Sequence, residues 1–184
     1  MLHMEQKDYK LEVLLALLKE QNHVRGIAKL LNVNHMLVSR KIKEPLSYNV
    51  VDYRQEGKNK VYFIKKTIES RAYVFMAEHY KLVQLIYKYP DLRRCIDKIQ
   101  KDKRIKLAIL FGSFAKGLAK KQSDIDVFIE SKGDIKRDLA LIDSRLSIKT
   151  GKYDKSNTMI KEIEKNHVVL KGIEVFYEKN KFFD

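Results

Sequence analysis

The sequence predicts an α+β chain whose second half has α/β character. Three observations carry this. Apolar residues recur at helical spacing through the first 43 positions, two strand-like runs flank a glycine at 50–64, and strand and helix patterns alternate from residue 105 onward.

From Asp8 the residues Leu11, Val13, Leu14, Leu15, Leu17 and Leu18 predict a first helix, which a polar break at Gln21-Asn22-His23 ends. Val24–Leu31 predicts a short second helix. After the turn Asn32-Val33-Asn34, the segment His35–Lys43 predicts a third, basic on one side. Beyond Pro45, Val50–Arg54 and Lys60–Ile64 are rich in β-branched and aromatic residues, and Gln55–Asn59 with its glycine joins them as a hairpin. Three helices followed by a hairpin make a winged helix-turn-helix. Ile68–Tyr89 predicts a long helix stopped at Pro90, with an aromatic-rich face suited to interdomain or dimer packing. Asp91–Gln100 predicts another helix. Ile105–Phe111 reads as an apolar strand ending at Gly112, followed by a helical turn, the strand Ile125–Ile129 and a helix over about Ile135–Ser144. Leu146–Thr150 predicts a strand, Thr158–Asn166 a helix, and Gly172–Tyr177 a final strand, completing a mixed sheet with helices. The domain expectation is 1–66 for the winged helix, 67–100 for a helical linker, and 101–184 for the sheet domain.

With 184 residues, 45% hydrophobic and 34% charged, the chain has enough apolar material for a core under an ionic surface. The 38 basic residues outnumber the 24 acidic ones, for a net charge of +14. Residues 1–66 hold 13 basic and 7 acidic side chains (+6), so both halves are basic. Such a balance favours polyanionic partners, nucleic acid or nucleotide phosphate, although lysine-rich surfaces also occur in heat-adapted proteins. The single cysteine, Cys95, has no disulfide partner within the chain and reads as a small buried apolar residue, which fits a reducing cytoplasm. Met1–Glu5 lacks the pattern of a secretory leader, and no apolar run is long enough to span a membrane. His3, His23, His35 and His79 show no metal-ligand spacing, and His167 reads as a cap or turn residue.

The chemistry concentrates between Leu110 and Ile129. The strand ending at Phe111 aims the chain at Gly112, where the missing Cβ lets backbone approach a phosphate. Ser113 then offers a hydroxyl and an amide at a helix N-terminus. Asp124 and Asp126 stand two apart on the next strand, so both carboxylates leave the same face while Ile125 and Val127 turn to the core. Paired hard oxygen ligands suit Mg²⁺, and two such ions can steady the attacking and leaving oxygens of an in-line displacement.

Gly112-Ser113, the following Lys116-Gly117, and Ser123-Asp124-x-Asp126 together resemble the signature of the DNA polymerase beta nucleotidyltransferase superfamily, in particular its minimal prokaryotic and archaeal members. The resemblance is close over Leu107–Ile129 and extends through the rest of the C-terminal half only in element order. It implies transfer of a nucleoside monophosphate from a Mg²⁺-bound nucleotide triphosphate to a hydroxyl acceptor. Gly112, Ser113, Lys116, Gly117 and Ser123 would then hold the nucleotide, and Asp124 and Asp126 the metal. It also implies a third carboxylate on the following strand, but Leu146–Thr150 contains no acid. Asp154 and Glu174 are the candidates to replace it.

In the N-terminal module the third helix would enter the DNA major groove and the wing would touch the backbone. His35, Ser39, Arg40, Lys41 and Lys43 on the helix, with Arg54, Lys58 and Lys60 on the wing, are the candidate DNA contacts. Arg40 is the base reader, since its fork can bond guanine, and the lysines neutralise phosphate. The plain alternative is a solvated face of a small helical domain. Arg25–Leu31 and Val38–Ile42 resemble archaeal and bacterial winged-helix transcription regulators, which commonly act as homodimers. Two functions follow as expectations. One is a nucleotidyltransferase coupled to a DNA-binding module. The other is a winged-helix regulator whose transferase domain only senses nucleotide or docks a partner. A winged helix that dimerises or docks protein without DNA is a third.

Overall fold

The computed structural model describes residues 7–184, so Met1–Glu5 and His3 lie outside the described residues. Its backbone divides into two compact units, one running to Ala77 and including Phe183–Asp184, the other Glu78–Phe182. No helix among the described residues is long and apolar enough to cross a membrane.

The first unit opens with α1 (Tyr9–Lys19), capped by the Asp8 carboxylate, which accepts from the Lys10 and Leu11 amides. Asn22–His23 form a two-residue strand, β1, where the sequence suggested only a polar break. The His23 ring caps α2 (Val24–Leu31) by accepting from the Gly26 amide at 2.8 Å, so the residue serves both elements. Asn32 adopts the left-handed conformation that ends α2, and Asn34 caps α3 (His35–Lys41). The expected third helix over His35–Lys43 is thus shorter. It stops at Ile42, and a further helix, α4 (Lys43–Ser47), follows and carries Lys43. Pro45 sits in the first turn of α4, where its missing N–H leaves no helical bond unmade.

Strands β2 (Val51–Glu56) and β3 (Asn59–Ile64) pair antiparallel around a tight turn at Gly57-Lys58. β1 adds to the free edge of β3, giving the order β1-β3-β2. Leu14, Leu17, Ile27, Val38, Ile42, Val50 and Val74 form the buried interior of this unit. The order helix, short strand, helix, turn, helix, hairpin is that of a winged helix-turn-helix. The long helix α5 (Ile68–Lys88) begins where the Thr67 hydroxyl accepts from the Ser70 amide, and its residues pass from the first unit into the second.

In the second unit a 3-10 turn at Pro90–Leu92 leads into α6 (Arg93–Lys101), whose Cys95, Ile96 and Ile99 are buried. Then come β4 (Ile105–Leu110), the single helical turn α7 (Gly112–Ala115), β5 (Ile125–Ser131), α8 (Lys136–Ala140), β6 (Leu146–Thr150), α9 (Thr158–Lys165), β7 (Val168–Lys171) and α10 (Ile173–Asn180). The sheet order is β6-β5-β4-β7. The β5–β6 pair is parallel, while β4 runs antiparallel to both its neighbours, so the sheet is mixed. Buried Leu110, Phe114, Val127, Ile129, Leu139 and Val168 belong to one apolar cluster between the sheet and α6–α8.

The expected last strand Gly172–Tyr177 is instead the start of α10. Gly172, at φ +79°, turns the chain out of β7, and Ile173, Phe176 and Tyr177 are buried at the i, i+3, i+4 spacing of a helix. The strand lies just upstream, in the continuously buried run Val168-Val169-Leu170. Glu174 consequently stands on an exposed helix face and not on a strand.

Candidate functional site

Gly112 follows β4 directly and lies against β5. Its φ of +71° is available to glycine, and a Cβ built there would overlap the Asp126 carboxylate, whose Cγ is 3.2 Å away. The Phe111 amide donates to the Asp126 carbonyl at 3.0 Å, locking the turn to the strand. Asp126 therefore meets the Gly112-Ser113 turn at one point.

The first helical bond of α7 is Lys116 amide to Gly112 carbonyl, 3.2 Å, and Phe111 at its N-cap has no side-chain acceptor to offer. The amides that open this turn are thus left without helical partners beside a carboxylate. Asp124 precedes β5 and is exposed, Asp126 is half-buried, and Ile125 and Val127 are buried, the alternation of a strand with one face in the core. Neither aspartate carboxylate has a hydrogen-bond or ion-pair partner among the described residues.

The loop before Asp124 is held from the residue that precedes β6. Arg145 donates to the Lys121 carbonyl (3.0 Å), pairs with Asp143 and Asp91 (2.7 and 2.9 Å), and its own carbonyl accepts from the Ile125 amide at 2.8 Å. The Arg145 guanidinium holds the Asp143 carboxyl below its ordinary range. Sequence reading missed Arg145, whose contacts depend on how β5 and β6 pair.

Among the other nucleotide candidates, the Ser123 hydroxyl accepts from the Lys120 amide at 2.9 Å and so serves the turn. Lys116 is exposed. Gly117, at φ +70°, presents its carbonyl to the Lys88 ammonium at 2.8 Å.

The β5–β6 register sets Asp126 level with Ser147, and Ile129 level with Thr150. The place beside Asp126 on the next strand is therefore filled by a serine hydroxyl. Asp154 lies past Thr150, at least seven residues along from Ser147. It is exposed, and its carboxylate accepts from the Ser156 amide at 2.9 Å, which holds it below the usual range. The structure does not bring Asp154 or Glu174 to the Asp126 turn. Among the described residues no group of three or more His, Cys, Asp and Glu is placed to hold a metal ion. The free Asp126 carboxylate beside the turn's free amides, with Asp124 two residues away on the same strand face, nonetheless fits Mg²⁺, which keeps several waters and takes phosphate oxygens as its remaining ligands.

His167 follows α9, and its Nδ1 lies 3.2 and 3.1 Å from the Ile163 and Glu164 carbonyls at that helix's end. Its ring packs on Phe176 (4.7 Å between centroids), and burial lowers its pKa to about 4. Cys95 is buried, and burial pushes its thiol up to about 12, which makes it inert.

In the first unit, His35 and Arg40 on α3 are exposed, while Ser39 and Lys41 are half-buried. Lys43 is exposed on α4, and Lys58 occupies the wing turn. Lys60 stands 4.0 Å from the centre of the Tyr53 ring. Arg54 is engaged, bonding Glu56 at 2.6 Å and also Gln21.

The protein family described as "Nucleotidyltransferase domain" matches residues 92–181. No curated protein matches the chain. Among solved structures, one similar chain is the homodimeric winged helix-turn-helix DNA-binding domain of a possible ArsR-family transcriptional regulator from Mycobacterium bovis. It is 20% identical, covering 44% of this chain and 71% of that one, with a TM-score of 0.34. The matched stretch, residues 92–181, contains the Gly112-Ser113 turn and the Asp124–Asp126 strand.

Proposed function

We propose that the second unit transfers a nucleoside monophosphate from a Mg²⁺-bound nucleotide triphosphate to a hydroxyl, and that the first unit contacts DNA. The observation that carries the first part is the close approach of Gly112 to the Asp126 carboxylate, which puts free amides and a free acid at one point. Asp124 and Asp126 would hold the metal, which when bound offsets the charge of the phosphates and steadies the leaving oxygen. The amides of the Gly112-Ser113 turn and the Ser113 hydroxyl would donate to the phosphate oxygens, with Lys116 adding positive charge from the exposed end of the turn. The DNA-contacting part is supported by the exposed His35, Arg40, Lys43 and Lys58 on one winged-helix module of a chain carrying +14.

A second reading, nucleotide binding without turnover, is favoured by one observation: Ser147, and no acid, stands level with Asp126 on β6. A neutral serine hydroxyl is too weak a base to take the acceptor's proton. Incubation with Mg²⁺, each of the four labelled triphosphates and candidate hydroxyl acceptors (nucleic-acid 3′ ends and protein hydroxyls), beside calorimetry of Mg·NTP binding, tests both. Pyrophosphate release that Asp126→Ala abolishes is the expected result. Binding that Asp126→Ala abolishes, without pyrophosphate, selects the second reading. Equal affinity in wild type and Asp126→Ala removes the site.

A further inference from the structure

At the other end of β5 from Asp126 the second unit holds a cavity of about 610 Å³, a volume within the range of small-molecule sites. Asp126 is the second residue of β5, and the cavity is lined by Ile129, Glu130 and Ser131 at the strand's far end, so its near edge stands three strand steps, about 10 Å, from Asp126.

Four lysines line it: Lys106, Lys132, Lys136 and Lys152. Lys106 is placed there by a bulge. Ile105 pairs with Ser131 and Leu107 with Glu130, leaving Lys106 as the extra residue of β4, its side chain exposed while both neighbours are buried. Gly172 buttresses this bulge, since a Cβ there would collide with the Lys106 carbonyl.

Of the two acids on the wall, Glu130 has its charge offset by Lys179, while Asp134 keeps its own. Glu130 accepts from the Tyr153 amide at 3.0 Å and pairs with Lys179 at 3.1 Å, and Asp134 caps the Lys136 amide at 3.0 Å. None of the four lysine ammonium groups has a carboxylate partner among the described residues. Gly133 and Gly151, also on the wall, leave open backbone, with nothing within 4 Å of where a Cβ would stand.

We propose that this cavity is a second anion site, for a ligand carrying clustered phosphate groups. Four lysines without carboxylate partners on the wall of a half-open pocket, set against the one uncompensated acid Asp134, leave more positive charge than one carboxylate or one monophosphate neutralises. They match the charge of three or more adjacent phosphates. The same chemistry is presented by a free polyphosphate and by the backbone of a nucleic-acid strand.

The test uses the full chain carrying Asp126→Ala, in EDTA, so that the proposed nucleotide site contributes nothing and the two claims fail separately. Inorganic tripolyphosphate is titrated calorimetrically at low salt. Adding Lys132→Gln with Lys152→Gln should weaken binding about tenfold or more. Lys98→Gln with Lys161→Gln removes the same charge from exposed helix positions outside the cavity and should change affinity by less than about threefold. Equal losses in the two pairs, or no tripolyphosphate binding before the lysines are changed, would overturn the proposal. Competition by a short single-stranded oligonucleotide assigns the site to nucleic-acid backbone, and lack of competition assigns it to a free polyphosphate.

Discussion

Replacing Gly112 by alanine tests whether the contact between turn and strand organises the site. Two costs are expected. A non-glycine residue at φ +71° costs about 1–2 kcal/mol in backbone strain. The new Cβ would overlap Asp126, and moving that carboxylate off its rotamer costs about 0.5–1.5 kcal/mol more. Gly117→Ala supplies the comparison, because Gly117 has nearly the same φ, +70°, but its Cβ would meet only the Lys88 ammonium, 3.0 Å away at the end of a flexible side chain. The difference between the two variants is then the steric part alone, a further drop of about 1–6 °C in melting temperature for a chain of this length. Gly57→Ala, at φ +58° with nothing within 4 Å of its Cβ, serves as the binding control from the wing. Calorimetry with Mg·NTP should show at least about a tenfold loss for Gly112→Ala and none for Gly57→Ala, since only the former displaces the proposed metal ligand Asp126. If Gly112→Ala melts with Gly117→Ala and binds Mg·NTP like wild type, then Asp126 is not held by this turn and the reasoning fails.

Two further outcomes follow from other parts of the chain. His167 is kept neutral by burial, with the Lys81 charge lowering its pKa further and Glu78 opposing, to about 4 from an ordinary 6.5. A depressed folded pKa means its contribution is fully present above pH 6.5 and is lost as pH falls toward 4, by up to about 3 kcal/mol. His167→Gln should therefore flatten the decline in melting temperature between pH 7 and pH 4, and an unchanged decline would refute the assignment. On the winged helix, Lys43→Gln should lower the slope of log affinity for duplex DNA against log salt by about 1, as expected for one lost phosphate contact. Arg54→Ala, whose guanidinium is already taken by Glu56 and Gln21, should change the slope less, and a salt-independent wild type would refute DNA binding outright.

The helical segments and the apolar strands were legible because their patterns are local. Leu11 to Leu18 repeats at helical spacing, and the helix begins at the cap Asp8 supplies. Asn22–His23 could not be read as a strand, since two polar residues have no periodicity and β1 exists only through pairing with Val61 and Tyr62. Gly172–Tyr177 misled for a related reason. A six-residue run with Ile, Val, Phe and Tyr fits a strand by composition, and only the left-handed Gly172 and the buried triplet Ile173, Phe176 and Tyr177 reveal the helix. At the site, Gly112 and the Asp124–Asp126 pair were visible as a spaced motif. Arg145 and the Lys106 bulge were invisible, because what each does depends on strand register, which one sequence does not encode locally.

Register also gives the absent third carboxylate a location. Because β5 and β6 run parallel with Asp126 beside Ser147, an acid able to share a metal with Asp126 would have to occur at Ser147 or its same-face neighbours Arg145 and Lys149. Arg145, just before β6, is fully used in fixing the Lys121 carbonyl, Asp91 and Asp143, so that row presents the Ser147 hydroxyl and the Lys149 charge. Such a row suits binding the anionic triphosphate better than deprotonating an acceptor, because added positive charge stabilises the phosphates while no group there accepts a proton. On the proposed function, turnover would therefore need a base from the acceptor, from solvent or from a second molecule, whereas nucleotide binding would rest on Gly112, Ser113, Asp124 and Asp126 alone.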